Sequence, residues 1–329
     1  MSNSILHVKA SNGLELPVID VTNPAFKLEL TEAEQKAHFA QFLAEEERHA
    51  RLPRFLRAAL VRLALRNSVL GKGILAARGG VLGAIDTYLL KLGAENLGPW
   101  ARPIDRRVAA SLPVLAARLR LQDMAWLMAD ILLPGLRATG DRPLHFLNLA
   151  GGTAVDSVNA LLVLHKEAAS LLARPIVVDV LDRHPIGPEF GERVLQALQA
   201  DGAPLKGLTI TFRHTPWDWR SDGPILSAVV AATRAANALA IASSEGGLFE
   251  YGADGEIIDA LTRLRDGNLL GVVGSVTRAD EPIRRLHRGG GPAAHLRGVE
   301  RFRELIAPTG WKVSRVIERP FSDHVALSA

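Results

Sequence analysis

No cysteine occurs among the 329 residues. That absence excludes disulfide frameworks, Cys-ligated zinc, iron–sulfur clusters and a thiolate nucleophile together. No uninterrupted apolar run reaches the length of a membrane span, and Met1 to Ala10 lack the basic region and apolar stretch of a secretory signal, so a cytoplasmic protein with no membrane partner is expected. Charge of one sign is not concentrated: the net charge is +4, the arginines are spread along most of the chain, and nucleic acid is not expected as a partner. No P-loop, H-E-x-x-H, EF-hand loop or G-x-S-x-G elbow occurs, and the histidines have no ligand spacing, so no metal is expected. No internal repeat or low-complexity tract appears apart from Gly289-Gly290-Gly291.

What is present is an ordinary globular composition, 48% hydrophobic and 22% charged. The length suits about two domains, or one large sheet domain with an added helical unit. Residues 1–30 read as a hairpin or tail, with alternation around Leu6 to Lys9, a turn at Ser11-Asn12-Gly13 and a second run from Leu14 to Ile19. Residues 31–139 read as a helical domain that packs as a bundle against the region after it. Thr31 and Glu34 form a capping box, Pro53 ends or restarts the first helix, and a second helix runs from Arg54 to Val69. Glycines at 71, 73, 79, 80 and 83 break the pattern, and further helices follow from Gly83 to Leu92 and from Ile104 to Leu133.

Gly140-Asp141-Arg142-Pro143 marks the start of a third region, residues 140–329, where short apolar runs alternate with helical ones. The runs are Leu144 to Leu149, Pro175 to Val180, Leu208 to Phe212, Ala238 to Ala242, Leu269 to Val276, Lys312 to Ile317 and His324 to Leu327. Five of them, separated by helices, predict a parallel sheet, and the last two predict an antiparallel pair at its edge. Ligands of such sheets bind at the carboxyl ends of the strands. The first strand runs into Asn148-Leu149-Ala150-Gly151-Gly152-Thr153-Ala154, small residues that let a backbone approach a ligand at a helix amino terminus. The dinucleotide fingerprint G-x-G-x-x-G does not fit this stretch.

In the order of these motifs, from about Pro143 to Ala329, the chain resembles the class I S-adenosylmethionine-dependent methyltransferases. That family carries an acidic residue and a G-x-G-x-G loop after its first strand; here Asn148 replaces the carboxylate, and Ala150 and Ala154 replace the outer glycines. Alanine is compatible with close approach provided neither residue needs a positive φ. The resemblance implies a Rossmann-like, mostly parallel sheet, S-adenosyl-L-methionine as cofactor, and a small-molecule methyl acceptor. It implies cofactor contacts from Asn148, Ala150, Gly151, Gly152 and Ser243. It implies a ribose-binding carboxylate at Asp179, with Asp182 as substitute, and adenine contact from Asp218 between Trp217 and Trp219. Positioning dominates methyl transfer, and His214, Glu245, Glu250 and Tyr251 are the candidates for a base to an oxygen acceptor. The altered loop leaves a second expectation open, a catalytically inactive binding or regulatory relative.

By the same resemblance the helical region caps the site and selects the acceptor, and Arg118 and Arg120 are the pair that would bring a guanidinium to the cofactor carboxylate. The basic helix from Arg54 to Arg66 has three readings: a solvated bundle face, a nucleic-acid patch or a membrane-surface helix. The first is expected, because aromatics do not interleave with the arginines and Glu45-Glu46-Glu47 lie close by.

Overall fold

The computed structural model describes residues 5–51, 53–77, 81–288 and 294–329. The glycines at 79 and 80 and the Gly289-Gly290-Gly291 loop lie outside the described residues. A two-stranded antiparallel hairpin, β1 (His7–Lys9) and β2 (Glu15–Pro17), comes first. Its continuation buries Val18 and Ile19, and the Tyr88 hydroxyl ties it down, accepting from the Ile19 N–H at 3.0 Å and donating to the Pro17 carbonyl at 2.9 Å.

Thr31 caps α1 (Glu32–Ala50) through the capping box with Glu34. The single helix expected from Arg54 to Val69 is two: α2 (Arg54–Leu65) and α3 (Val69–Ala76). Ser68 restarts the chain between them, accepting from the Gly71 N–H at 2.7 Å and donating to Asp105. After α4 (Ala84–Lys91), the helix expected from Ile104 to Leu133 is likewise divided, at Ser111, into α5 (Pro103–Ala109) and α6 (Leu112–Ala138).

From β3 (Leu144–Leu149) onward strands and helices alternate: α7 (Val155–Ala168), β4 (Ile176–Asp182), α8 (Ile186–Gln199), β5 (Ile210–Pro216), α9 (Gly223–Ala235) and β6 (Leu239–Ser244). Then follow α10 (Leu248–Tyr251), α11 (Asp254–Arg265), β7 (Gly271–Thr277), α12 (Glu281–Arg288), α13 (Gly298–Ile306), β8 (Lys312–Ile317) and β9 (Ser322–Ser328). The seven strands from β3 lie in the order β5-β4-β3-β6-β7-β9-β8, parallel from β5 to β7, with β9 antiparallel to both β7 and β8. This is an α/β, Rossmann-like sheet with an antiparallel carboxyl-terminal pair, preceded by a helical region, as expected.

Two apolar layers hold the sheet, as strand alternation requires. One face presents Phe146, Val178, Ile241 and Val273 to α4, α6, α7 and α8. The other presents Leu147, Leu181, Ala242 and Val272 to α9, α10, α11 and α13. The central strands β3, β6 and β7 are buried on both sides, whereas β5 and β8 are half-exposed at the edges. The first apolar layer is continuous from the hairpin through α6 to the sheet, so the helical region is part of the same core.

Candidate functional site

The path of the sheet reverses at β3. The chain steps from β3 to β4 to β5 in one direction, then returns with β6 on the opposite side of β3. Such a switch point leaves a crevice at the carboxyl ends of the two diverging strands, where open α/β sheets bind ligands. The bend that leaves β3 stands there. Ala150, Gly151 and Gly152 are half-exposed, whereas Thr153 and Ala154 are buried.

Ala150 and Ala154 both adopt positive φ, 54° and 51°, and Gly152 adopts 57°. The condition set for alanine, that neither residue need a positive φ, is therefore not met. The loop takes a shape suited to glycine, at about 1–2 kcal/mol for each alanine. Gly152 also has a steric reason to lack a side chain: a Cβ there would lie 2.9 Å from the Ala84 methyl at the start of α4.

Asp179 does not stand at the end of its strand. β4 runs on to Asp182, and Asp179 lies mid-strand opposite Arg213, whose guanidinium donates to it twice, at 2.7 and 2.8 Å. That ion pair lets the ladder continue past a buried acid. Asp182 is the carboxylate at the strand end, accepting from the Gly152 N–H at 3.0 Å and from the His184 N–H at 3.0 Å. Asp218 follows β5 as expected, but Arg220 clamps it and Arg183 lies nearby; the Arg220 hydrogen bonds lower its carboxyl to about 2. Trp217 is buried and meets Trp219 edge-on, 6.5 Å between ring centres.

The four candidate bases do not all converge. His214 lies within β5, and its Nε2 donates to the Asp182 carbonyl at 2.9 Å, so that nitrogen carries a proton. Glu245 and Tyr251 follow β6, three strand spacings and roughly 14 Å away. Glu245 is buried in an ion pair with Lys91 of α4 at 2.6 Å and with Arg120 of α6 at 3.2 Å. Burial opposes its ionisation, but Lys91 and Arg120 prevail and hold it below the usual carboxylate range. Arg120 also reaches Glu250 at 3.3 Å, whereas Arg118 bonds Glu95 elsewhere, so the two arginines are not a pair. Burial, then the Glu250 charge, raises the Tyr251 hydroxyl.

Beneath the bend lies a polar group that the sequence reading names only at its ends. Asn148 Nδ2 donates to Asp156 at 2.7 Å, to Ser157 at 3.1 Å and to Ser243 at 3.2 Å, all buried. Asn148 Oδ1 and Asp156 Oδ2 are acceptors with no hydrogen-bond partner among the described residues. Burial, then the Glu245 charge, pushes Asp156 up to about 6. Asp156 sits in the first turn after the small-residue loop and was visible as such. Lys91, more than fifty residues upstream, carried no signal that it would reach this place.

A second buried network joins α6 to the last strand. Asp123 accepts from Arg319 at 2.7 and 2.8 Å and bonds His324 Nδ1 at 2.7 Å. It fixes the helical region to the sheet edge. No group of three or more His, Cys, Asp or Glu side chains able to hold a metal is found among the described residues.

No protein-family model matches the chain, and no curated protein matches it. Among solved structures it is similar to a possible exported protein from Bordetella parapertussis, at 17% identity and a TM-score of 0.53, covering 91% of this chain and 99% of that one. It also matches magnesium protoporphyrin IX methyltransferase from Synechocystis with bound SAH, at 13% identity and a TM-score of 0.43, over 67% of this chain and 88% of that one. A third match is mitomycin 7-O-methyltransferase, at 12% identity and a TM-score of 0.40, over 98% and 79%. The likeness is one of fold, and class I S-adenosylmethionine-dependent methyltransferases are among the structures it reaches.

Proposed function

We propose that the chain is an S-adenosylmethionine-dependent methyltransferase acting on a small organic molecule, with oxygen as the acceptor atom. The observation that carries this reading is the half-exposed bend at the switch point, held in three left-handed residues with the Asp182 carboxylate beside it. Backbone strain of this kind persists where the surroundings enforce it and clusters at ligand clamps.

The residues present fit the adenosyl cofactor. Asp182 accepts two backbone N–H groups and retains lone pairs for a vicinal diol. Beneath the bend, the orphaned acceptors Asn148 Oδ1 and Asp156 Oδ2 match an ammonium group. When bound, S-adenosylmethionine supplies an electrophilic methyl carbon on a good leaving group. The chain's task is then to orient the acceptor and exclude water, which is worth about 7–11 kcal/mol. A general base adds about 10²–10⁴ in rate. Positioning is therefore the larger contribution, and the helical region that covers the sheet is the part that selects the acceptor.

The test is transfer of a labelled methyl group from S-adenosylmethionine into a fraction of small cellular metabolites. Label in an organic product that is lost in Asp182→Ala supports the reading; label that stays in the cofactor throughout contradicts it. A second reading, a binding protein without catalysis, has its own observation. The buried Lys91–Glu245 pair ties α4 to the segment after β6, and Gly247 lies so near Ala150 that a Cβ there would stand 3.3 Å from the alanine methyl, so the two sides of the switch point are close together. That reading predicts ligand binding with no transfer to any acceptor.

A further inference from the structure

Helix α2 is exposed over most of its surface. Phe55 is 77% exposed, Leu63 56% and Leu60 50%, with Leu56 and Val61 also in solvent. At 100° per residue Phe55, Ala59, Leu63, Leu56 and Leu60 fall on one side, with Arg57 and Arg62 at its two margins and Arg66 at the carboxyl end of the same side. Among the described side chains of the helix, Leu65 is the one that is buried. The helix is solvated as expected, and its apolar side chains face water along with its arginines.

The helix is held in that attitude at both ends. Arg57 bonds Glu46 of α1 at 2.8 Å, and beyond the carboxyl end Asp105 fixes Ser68 and the Leu70 N–H at 2.5 and 2.9 Å. Between Glu47 and Asp86 the sequence carries no acidic residue, while it carries Arg48, Arg51, Arg54, Arg57, Arg62, Arg66, Lys72 and Arg78. Arg62 and Arg66 are exposed and form no ion pair among the described residues. Of the acids that precede the helix, Glu46 is engaged by Arg57, Glu47 by Arg285 of α12 at 3.0 Å, and Glu45 accepts from Gln41 within α1, which leaves Arg62 and Arg66 as the cations on the exposed helix.

We propose that α2 is a peripheral docking element for an anionic lipid bilayer surface, its apolar side entering the headgroup boundary and Arg62 and Arg66 meeting lipid phosphates. Apolar side chains flanked by arginines on a short helix are the requirements of an interfacial helix. No helix among the described residues is long and apolar enough to cross a membrane, so the element lies on the surface. Charge decides against a second copy as occupant, because a two-fold pairing of α2 would set arginine against arginine with no acid between.

The experiment is co-sedimentation of the full chain with vesicles of phosphatidylglycerol and phosphatidylcholine, against vesicles of phosphatidylcholine alone. The proposal predicts binding to the anionic vesicles that weakens with salt and falls about tenfold or more in F55S/L63S and in R62E/R66E. Both variants keep the wild-type melting temperature, since these side chains are exposed. Wild-type protein left in the supernatant at low salt overturns the proposal. So does equal sedimentation of F55S/L63S, or a dimer that F55S/L63S dissociates in the absence of any vesicle binding.

Discussion

Ala150 and Ala154 hold the backbone in the left-handed region, where the Cβ crowds the following carbonyl. Glycine relieves that crowding but gives back part of the gain through the freer unfolded chain. Ala150→Gly and Ala154→Gly are each expected to raise stability by about 0.5–1 kcal/mol, read as a higher denaturation midpoint. Gly152→Ala is expected to do the opposite, by about 1–3 kcal/mol, since it adds both a strained φ and a clash with Ala84. Asp156 makes a pH-dependent contribution. An aspartate in the unfolded chain titrates at about 4, whereas in the fold Asp156 keeps its proton up to about 6. Between those values the native state holds a proton the unfolded chain has lost, so this group's contribution falls as pH rises from about 4 to about 6 and is level above. Asp156→Asn is expected to be more stable than wild type by roughly 1–3 kcal/mol at pH 7.5, with the difference vanishing near pH 4. Paired urea titrations at the two pH values check it.

At the scale of elements, the buried Lys91–Glu245 pair ties α4 to the segment that follows β6. Lys91→Met leaves Glu245 buried with Arg120 as its remaining cation, at an expected cost of about 3–5 kcal/mol. The double variant Lys91→Met with Glu245→Leu is expected to cost less than Lys91→Met alone, and melting temperatures of the three proteins measure the difference. Element type was legible wherever hydrophobic period and capping agreed, as at Thr31 and along β3. Element ends were not. Asp179 and the polar run Arg213-His214-Thr215 look like strand exits in one dimension, yet their bidentate cross-strand pairing carries β4 to Asp182 and β5 to Pro216. The break at Ser68 was hidden for a related reason, since the acid that stabilises it, Asp105, lies 37 residues away.

For the molecule as a whole, alternation of short apolar and helical runs was enough to read the sheet, because crossover topology follows from it. The site was legible only in part. The bend after β3 and the acid near the end of β4 follow from local pattern, with Asp182 taking the place expected of Asp179. Lys91 and Arg120, which meet Glu245, and Asp123, which meets Arg319 and His324, come from helices whose approach to the sheet is decided by packing of the continuous core. The separation of His214 from Glu245 and Tyr251 likewise follows from strand order, which the sequence does not display. The central claim is that the switch-point bend and Asp182 form an adenosyl site, and titration calorimetry with S-adenosylhomocysteine tests it most directly. The account predicts saturable heat with a micromolar dissociation constant, weakened about tenfold or more in a folded Asp182→Ala variant. Absence of heat at millimolar ligand, or equal affinity in that variant, would contradict it.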